Sequence, residues 1–255
     1  MDVNNNHRRL WGIMGGMGPL ASAEFVKTIY ELSPYENEQA SPPLVLWSDP
    51  CIPDRTDYIL NGKRELLLEG LTRGLTRLAA CDVTDIVICC VTIHDVLDQL
   101  PSALRNKVIS LVDVIHENVL INDKRYLLLC TNGTRRIKLF ENHPSWNRMQ
   151  GRIVLPSAQD QERIHQLIYR IKQYSYCPAD VDFLNELTTN YGVDSFIAGC
   201  TEIHVLVREY GLALELTQKC PCLDPLMILA EIISDSTLQT GTSNTEGAFC
   251  TSLRK

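Results

Sequence analysis

Ten cysteines are spread along this 255-residue chain, and two of them stand in matching surroundings. Cys90 lies in the run Asp85-Ile86-Val87-Ile88-Cys89-Cys90-Val91-Thr92-Ile93-His94. Cys200 lies in Asp194-Ser195-Phe196-Ile197-Ala198-Gly199-Cys200-Thr201-Glu202-Ile203-His204. Each run reads as a buried strand that ends at a thiol, with Ile-His three and four residues beyond it. The step from Asp to Cys differs by one residue between the copies, so the repeat is imperfect. Each thiol also follows a glycine-marked strand end, Gly15-Gly16 or Asn132-Gly133, by roughly 70 residues. An ordinary thiol, with a pKa of about 8.5, is a weak base unless its surroundings favour thiolate. Two thiols facing each other across a small molecule can still do one specific thing. One, as thiolate, removes a proton from a stereocentre, and the other, as thiol, returns a proton to the opposite face. A helix N-terminus after each Cys would supply N–H dipoles that stabilise thiolate and bind carboxylate. The competing reading is a pair of buried structural cysteines, the usual state of this residue in a core. The paired contexts favour chemistry.

Other residues could hold a substrate. Gly12-Ile13-Met14-Gly15-Gly16-Met17-Gly18-Pro19 reads as a strand-to-helix turn. A nucleotide fingerprint would need a third glycine where Ala21 stands, or a Lys-Ser/Thr pair, and has neither. The turn is read instead as a close backbone approach to a small carboxylate, or as a tight turn with no ligand. Arg55, in the polar stretch Asp54-Arg55-Thr56, could grip a carboxylate with its guanidinium fork. Thr131 and Thr134 could hold a second carboxylate, or Thr131 could cap a helix. His94 and His204 could tune the thiols four residues before them, or face core or solvent. Neither Cys89-Cys90 nor Cys220-Pro221-Cys222 has the spacing of a zinc site, so no metal is expected.

The elements that must position these groups alternate in type. Short apolar strands are expected at 10–14, 43–47, 85–89, 108–111, 125–130, 152–155 and 195–198. Helices are expected at 20–32, 63–80, 95–105, 112–121, 160–174, 179–191, 202–210 and 225–234. Such alternation predicts parallel strands with crossover helices, an α/β architecture. The two Cys-bearing strand ends suggest two similar lobes, 1–110 with 211–237 and 111–210, with ligands at the carboxyl edges of the sheets. The Ser-, Thr- and Gly-rich stretch 238–255 reads as a disordered tail. A hydrophobic content of 45% can fill a substantial core. The net charge of −7 argues against a nucleic-acid or membrane-surface role, since both usually need a basic face. Residues 1–9 lack the apolar stretch of a signal peptide, and nowhere do 18 apolar residues run together. The cysteines are accordingly read as reduced, cytoplasmic thiols.

Taken together, these residues resemble the Asp/Glu racemase family, in its cofactor-independent aspartate racemase branch. The resemblance rests on Gly15-Gly16-Met17-Gly18-Pro19, Ile52-Pro53-Asp54-Arg55-Thr56, Thr131-x-Gly133-Thr134, Ala198-Gly199-Cys200-Thr201-Glu202 and Leu223-Asp224-Pro225, and it spans about residues 10 to 236. It implies two pseudo-symmetric α/β lobes with the site between them, and a homodimer acting on a small acidic amino acid without pyridoxal phosphate. It implies Cys90 and Cys200 as catalytic thiols. Arg55 and Lys172 would hold the substrate's side-chain carboxylate, with Met17, Thr92, Thr131, Thr134 and Thr201 as further binding residues. One departure stands out. The family's first thiol usually sits in Cys-Asn-Thr-Ala-His, whereas here the run is Cys90-Val91-Thr92-Ile93-His94, which removes an amide donor. The chain is also similar to stand-alone aspartate racemases of cyanobacterial nonribosomal peptide pathways, such as that for microcystin. The expected reaction is interconversion of L- and D-aspartate. Glutamate or hydantoin racemisation, maleate-type isomerisation and a non-catalytic amino-acid sensor are the alternatives.

Overall fold

The computed structural model describes residues 9–33, 38–211 and 222–236. It contains two four-stranded sheets in which every pairing is parallel. The first lobe runs β1 (Trp11–Gly15), α1 (Pro19–Leu32), β2 (Leu44–Ser48), α2 (Arg55–Leu60), α3 (Arg64–Ala79), β3 (Asp85–Ile88), a 3₁₀ helix (Thr92–Gln99), α4 (Ser102–Arg105), β4 (Val108–Ile109) and α5 (Leu111–Ile121). The second runs β5 (Tyr126–Leu129), α6 (Asn132–Arg136), α7 (Trp146–Met149), β6 (Ile153–Val154), α8 (Ala158–Lys172), α9 (Pro178–Tyr191), β7 (Ser195–Ala198), α10 (Glu202–Gly211), β8 (Cys222–Leu223) and α11 (Pro225–Asp235). Strand orders are β2-β1-β3-β4 and β6-β5-β7-β8. The two orders are the same once the second set is renumbered, so β3 and β7 are equivalent strands.

Burial explains the composition of the strands. Every residue of β1, β3, β5 and β7 is buried, as parallel strands covered by helices on both faces require. Three apolar clusters fill the molecule. Leu67, Leu71, Leu75 and Leu78 of α3 pack on Met14, Ile86 and Ile88 on one outer side. Ile164, Leu167, Ile168 and Ile171 of α8 pack on Leu127, Leu129 and Phe196 on the other. Between the sheets, Trp11, Phe25 and Val87 share one core with Leu128, Ile197, Leu229 and Ile233. Burying this shared core is what joins the lobes, since separating them would expose its large side chains to water.

Four local differences from the sequence expectations have simple causes. The stretch 95–105 is a 3₁₀ turn followed by a short helix, because Pro101 cannot sit in a helix interior. Arg55 lies in a stretch for which no helix was expected. It opens α2, whose N-cap Asp54 accepts from the Asp57 N–H. Residues 132–136, outside the expected helices, form helix α6 behind its N-cap Thr131. Of the segment 211–237, expected with the first lobe, Cys222–Leu223 pairs with β7 in the second sheet, while α11 packs against α1. A two-residue strand lies below the length at which alternation can be read. The tail at 238–255 lies outside the described residues. Among the described residues, no helix is long and apolar enough to cross a membrane.

Candidate active site

The equivalence of β3 and β7 brings the two thiols together. Cys90 and Cys200 each lie two residues past the end of their strand. Both are 5% exposed, and Cys90 is close enough to act electrostatically on the Cys200 thiol. Across the lobe junction, Thr201 Oγ1 donates to the Cys89 carbonyl at 3.3 Å. This bond ties the two thiol-bearing turns to each other. Cys200 Sγ donates to Glu202 Oε2 at 2.8 Å. Burial first, and the Glu202 carboxylate second, push the Cys200 thiol well above its ordinary pKa, against the pull of Lys172.

Two cations face the thiols. Arg55 is 8% exposed and beside Cys90. Burial disfavours its charge, but Cys90, Asp54 and Glu202 outweigh that and raise its pKa. Its Nη1 donates to the carbonyls of Ile52 at 3.3 Å and Pro53 at 2.9 Å, and its Nη2 to that of Met17 at 2.6 Å. Backbone carbonyls thus engage three of the five guanidinium N–H groups, and a side-chain hydrogen bond with Cys90 also favours its charge. The buried Nε has no hydrogen-bond partner among the described residues. Lys172, on the last turn of α8, sits 3.8 Å from Asp54 Oδ2 and over the Tyr169 ring at 4.3 Å. Burial works against its charge too, while Glu202 and Cys200 raise its pKa. Asp54 is held below the usual carboxylate range. Burial opposes this, but the Asp57 N–H, Lys172 and the Tyr169 hydroxyl prevail.

Hydroxyls complete the site. Thr92 Oγ1 lies 2.9 Å from Thr134 Oγ1 and 3.3 Å from Thr131 Oγ1, and those two are 3.1 Å apart. The triangle draws one corner from the first lobe and two from the second. Thr131 also caps α6 by accepting from the Thr134 N–H at 3.2 Å, as the helix-cap reading expects. Met17 enters through its backbone carbonyl. Its side chain is in the outer core of the first lobe. Gly16, at φ +91°, lets the turn press against Asp49, whose backbone N would lie 2.3 Å from a Cβ there. Val91 is 1% exposed and belongs to the shared core, so its side chain serves packing.

The two histidines are latches. His94 is kept neutral, its pKa lowered to about 4 by burial. Its Nδ1 lies 2.9 Å from the Cys90 carbonyl, and its Nε2 accepts from the Leu111 N–H at 3.0 Å. His204 is fully buried, with Nδ1 2.6 Å from Asp224 Oδ2 and Nε2 3.1 Å from Thr28 Oγ1. A wide polar cavity of about 1110 Å³ lies beyond His94, between Arg105, Asp113, His116 and His143. Neither thiol lines it.

Contacts and charge thus connect Cys90, Cys200, Thr201, Arg55, Lys172 and the Met17 carbonyl, while Thr92, Thr131 and Thr134 form a second group, with Thr92 close to Cys90 in the chain. Sequence reasoning missed Glu202 and Tyr169. The first is an acidic residue at the opening of a helix, where a carboxylate is ordinary. The second becomes relevant only when α8 packs so that its hydroxyl donates to Asp54 at 2.9 Å.

Residues 14–233 match the model of the family described as Asp/Glu/hydantoin racemase. Among solved structures, the chain is similar to Picrophilus torridus aspartate racemase, with TM-score 0.72 and 23% identity over 90% of this chain and 94% of that one. An aspartate racemase homologue from Pyrococcus horikoshii OT3 gives 0.64 and 19% over 91% and 100%. Glutamate racemase from Francisella tularensis, solved with D-glutamate, gives 0.61 and 14% over 94% and 84%. These likenesses establish the fold. With the family match covering most of its length, the chain belongs to the Asp/Glu/hydantoin racemase family.

Proposed function

We propose that this racemase-family protein interconverts L- and D-aspartate without pyridoxal phosphate, using Cys90 and Cys200 as its acid/base pair. The observation that carries the reading is the pairing of two buried thiols on equivalent strand ends, with Arg55 beside Cys90 and Lys172 beside Cys200. A dicarboxylic substrate matches two cations and a hydroxyl triangle. In this reading, Arg55 Nε–H and its remaining Nη2–H grip the side-chain carboxylate, with Lys172 as point charge. Thr92, Thr131, Thr134 and Thr201 hold the α-carboxylate.

The reaction then proceeds in one balanced exchange. A thiolate takes the Cα proton, and the electron pair is delocalised into the α-carboxylate. The opposite thiol delivers a proton to the other face. Preorganised N–H and O–H donors around the carboxylates stabilise the carbanion-like transition state. The Picrophilus enzyme's name supports aspartate.

A homodimeric, cytoplasmic enzyme and supply of D-aspartate to a nonribosomal peptide pathway belong to the same proposal and rest on the sequence resemblance. The test is incubation of purified protein with L-aspartate, free of pyridoxal phosphate, followed by chiral chromatography. Appearance of the D-enantiomer up to an equal mixture is expected. Parallel incubations with glutamate, a hydantoin and maleate separate the alternatives. Tight aspartate binding with unchanged optical rotation would identify a sensor.

A further inference from the structure

The cavity beyond His94 lies where three parts of the fold meet. The 3₁₀ helix and α4 of the first lobe form one wall. The opening turns of α5, which joins the lobes, form another, and residues between 137 and 145 of the second lobe form the third. At about 1110 Å³ the space exceeds what an ion fills and takes a small molecule.

His116, on α5, lines this cavity and is 1% exposed. Neither of its ring nitrogens has a hydrogen-bond partner among the described residues. The ring stands edge-on to His143, with centroids 3.9 Å apart and planes at 87°. Burial first, and His143 second, keep it neutral by lowering its pKa to about 3. A neutral imidazole offers one lone pair and one N–H. Leaving both unmade in a buried place costs stability, so the ring is matched to a ligand rather than to the core.

The charges on the walls select the kind of ligand. Asp95 is paired with Arg64 at 2.5 Å, and Asp98 faces Arg105 at 4.0 Å. His94 is neutral, with both nitrogens engaged. His143 Nδ1 accepts from the Ser145 N–H at 3.2 Å, so its Nε2–H donates to Asp113 Oδ1 at 2.8 Å and the ring carries no charge. Asp113 is thereby left with a neutral partner. Glu117, one turn further along α5, has no ion pair among the described residues, and burial and then Asp113 raise its pKa. Two carboxylates thus face the cavity beside an imidazole lone pair, with no cation to offset them. Among the described residues, no three His, Cys, Asp or Glu side chains converge as metal ligands do.

We propose that this cavity is a second small-molecule site, separate from the thiols, for an organic amine of net positive charge. The ammonium lies between Asp113 and Glu117 and donates to His116, and the carbon chain runs along Leu97, Val108 and Leu139. His94 belongs to the same wall, so the ligand lies one ring away from the Cys90 turn. Binding needs no turnover, and the proposal does not draw on the racemase reading.

Isothermal titration calorimetry of the full chain with putrescine, agmatine and spermidine tests it. Salt at about 0.15 M screens diffuse attraction to a chain of net charge −7. One amine per chain, with Kd below about 100 µM, is expected. His116→Leu and Glu117→Gln should each weaken binding at least about tenfold, through loss of a hydrogen bond or a charge facing the ammonium. Circular dichroism melts check that each variant folds, and if His116→Leu does not, Glu117→Gln decides alone. A loss of about tenfold or more in a folded variant supports the site. Smaller losses in every folded variant, no saturable binding of any of the three amines, or equal binding of glutarate, a dicarboxylate of similar length, overturns it.

Discussion

His94 Nε2 accepts a hydrogen bond from the backbone N–H of Leu111 at 3.0 Å, tying the turn that carries Cys90 to the first residue of α5. The second lobe repeats the device with different chemistry. His204, four residues after Cys200, binds Asp224, whose other oxygen caps α11 through the Leu226 N–H at 2.9 Å. In both lobes a histidine anchors the thiol-bearing turn to the start of the helix that follows the next strand. The imperfect repeat in the sequence thus marks a repeated mechanical task.

The His94 latch has a pH signature. Burial lowers its pKa from 6.5 to about 4. Between those values the unfolded chain binds a proton that the native fold does not. Stability from this group is therefore complete above about pH 6.5, falls as the pH drops, and is gone below about pH 4. The shift corresponds to about 3 kcal/mol. His116, lowered to about 3 by burial and then by His143, adds to the same trend. Denaturant melts at pH 7, 5.5 and 4 should show His94→Gln losing less stability than wild type on acidification. Equal losses would refute the assignment.

Either thiol replaced by serine should lose at least about 1,000-fold in aspartate racemisation, since serine is a far weaker acid at the same place. Chiral chromatography and Cα–H exchange in D₂O measure this. Full activity in Cys90→Ser or Cys200→Ser would end the two-thiol scheme.

Arg55 should not tolerate lysine. Three backbone carbonyls fix the guanidinium in place, and an ammonium cannot reproduce that fork. A loss of about 2 kcal/mol in transition-state binding is expected, roughly 30-fold in kcat/KM. A change under threefold would show that Arg55 contributes charge alone.

Gly18→Ala offers a test of packing without strain. The residue sits at φ −132°, which alanine adopts freely, but its Cβ would meet Glu202 Oε1 at 2.4 Å. That oxygen ends a flexible side chain, so it can turn aside. Stability should change by less than about 1 kcal/mol while racemisation falls at least about tenfold, because the carboxylate leaves Cys200. Unchanged activity would mean that its placement is immaterial.

Much of this arrangement was legible in the residues alone. Runs of Ile, Val and Leu, alternating with helical stripes such as Leu67, Leu71, Leu75 and Leu78, specify parallel strands with crossover helices because burial on both faces selects that pattern. The matched contexts of Cys90 and Cys200 marked two positions that the fold places on equivalent strand ends. Three things came only from tertiary structure. Glu202 looks like an ordinary residue at the start of a helix until α10 docks it against Gly18 from the other lobe. Lys172 looks like a solvated helix residue until α8 brings it to Asp54 and Cys200. Val91 replaces an expected amide, and only the shared core shows its side chain turned away from the thiols. Period and propensity are local properties of the chain, so sequence can express them. The partners of a buried charge are set by which helices meet across the two sheets, and no single segment encodes that meeting.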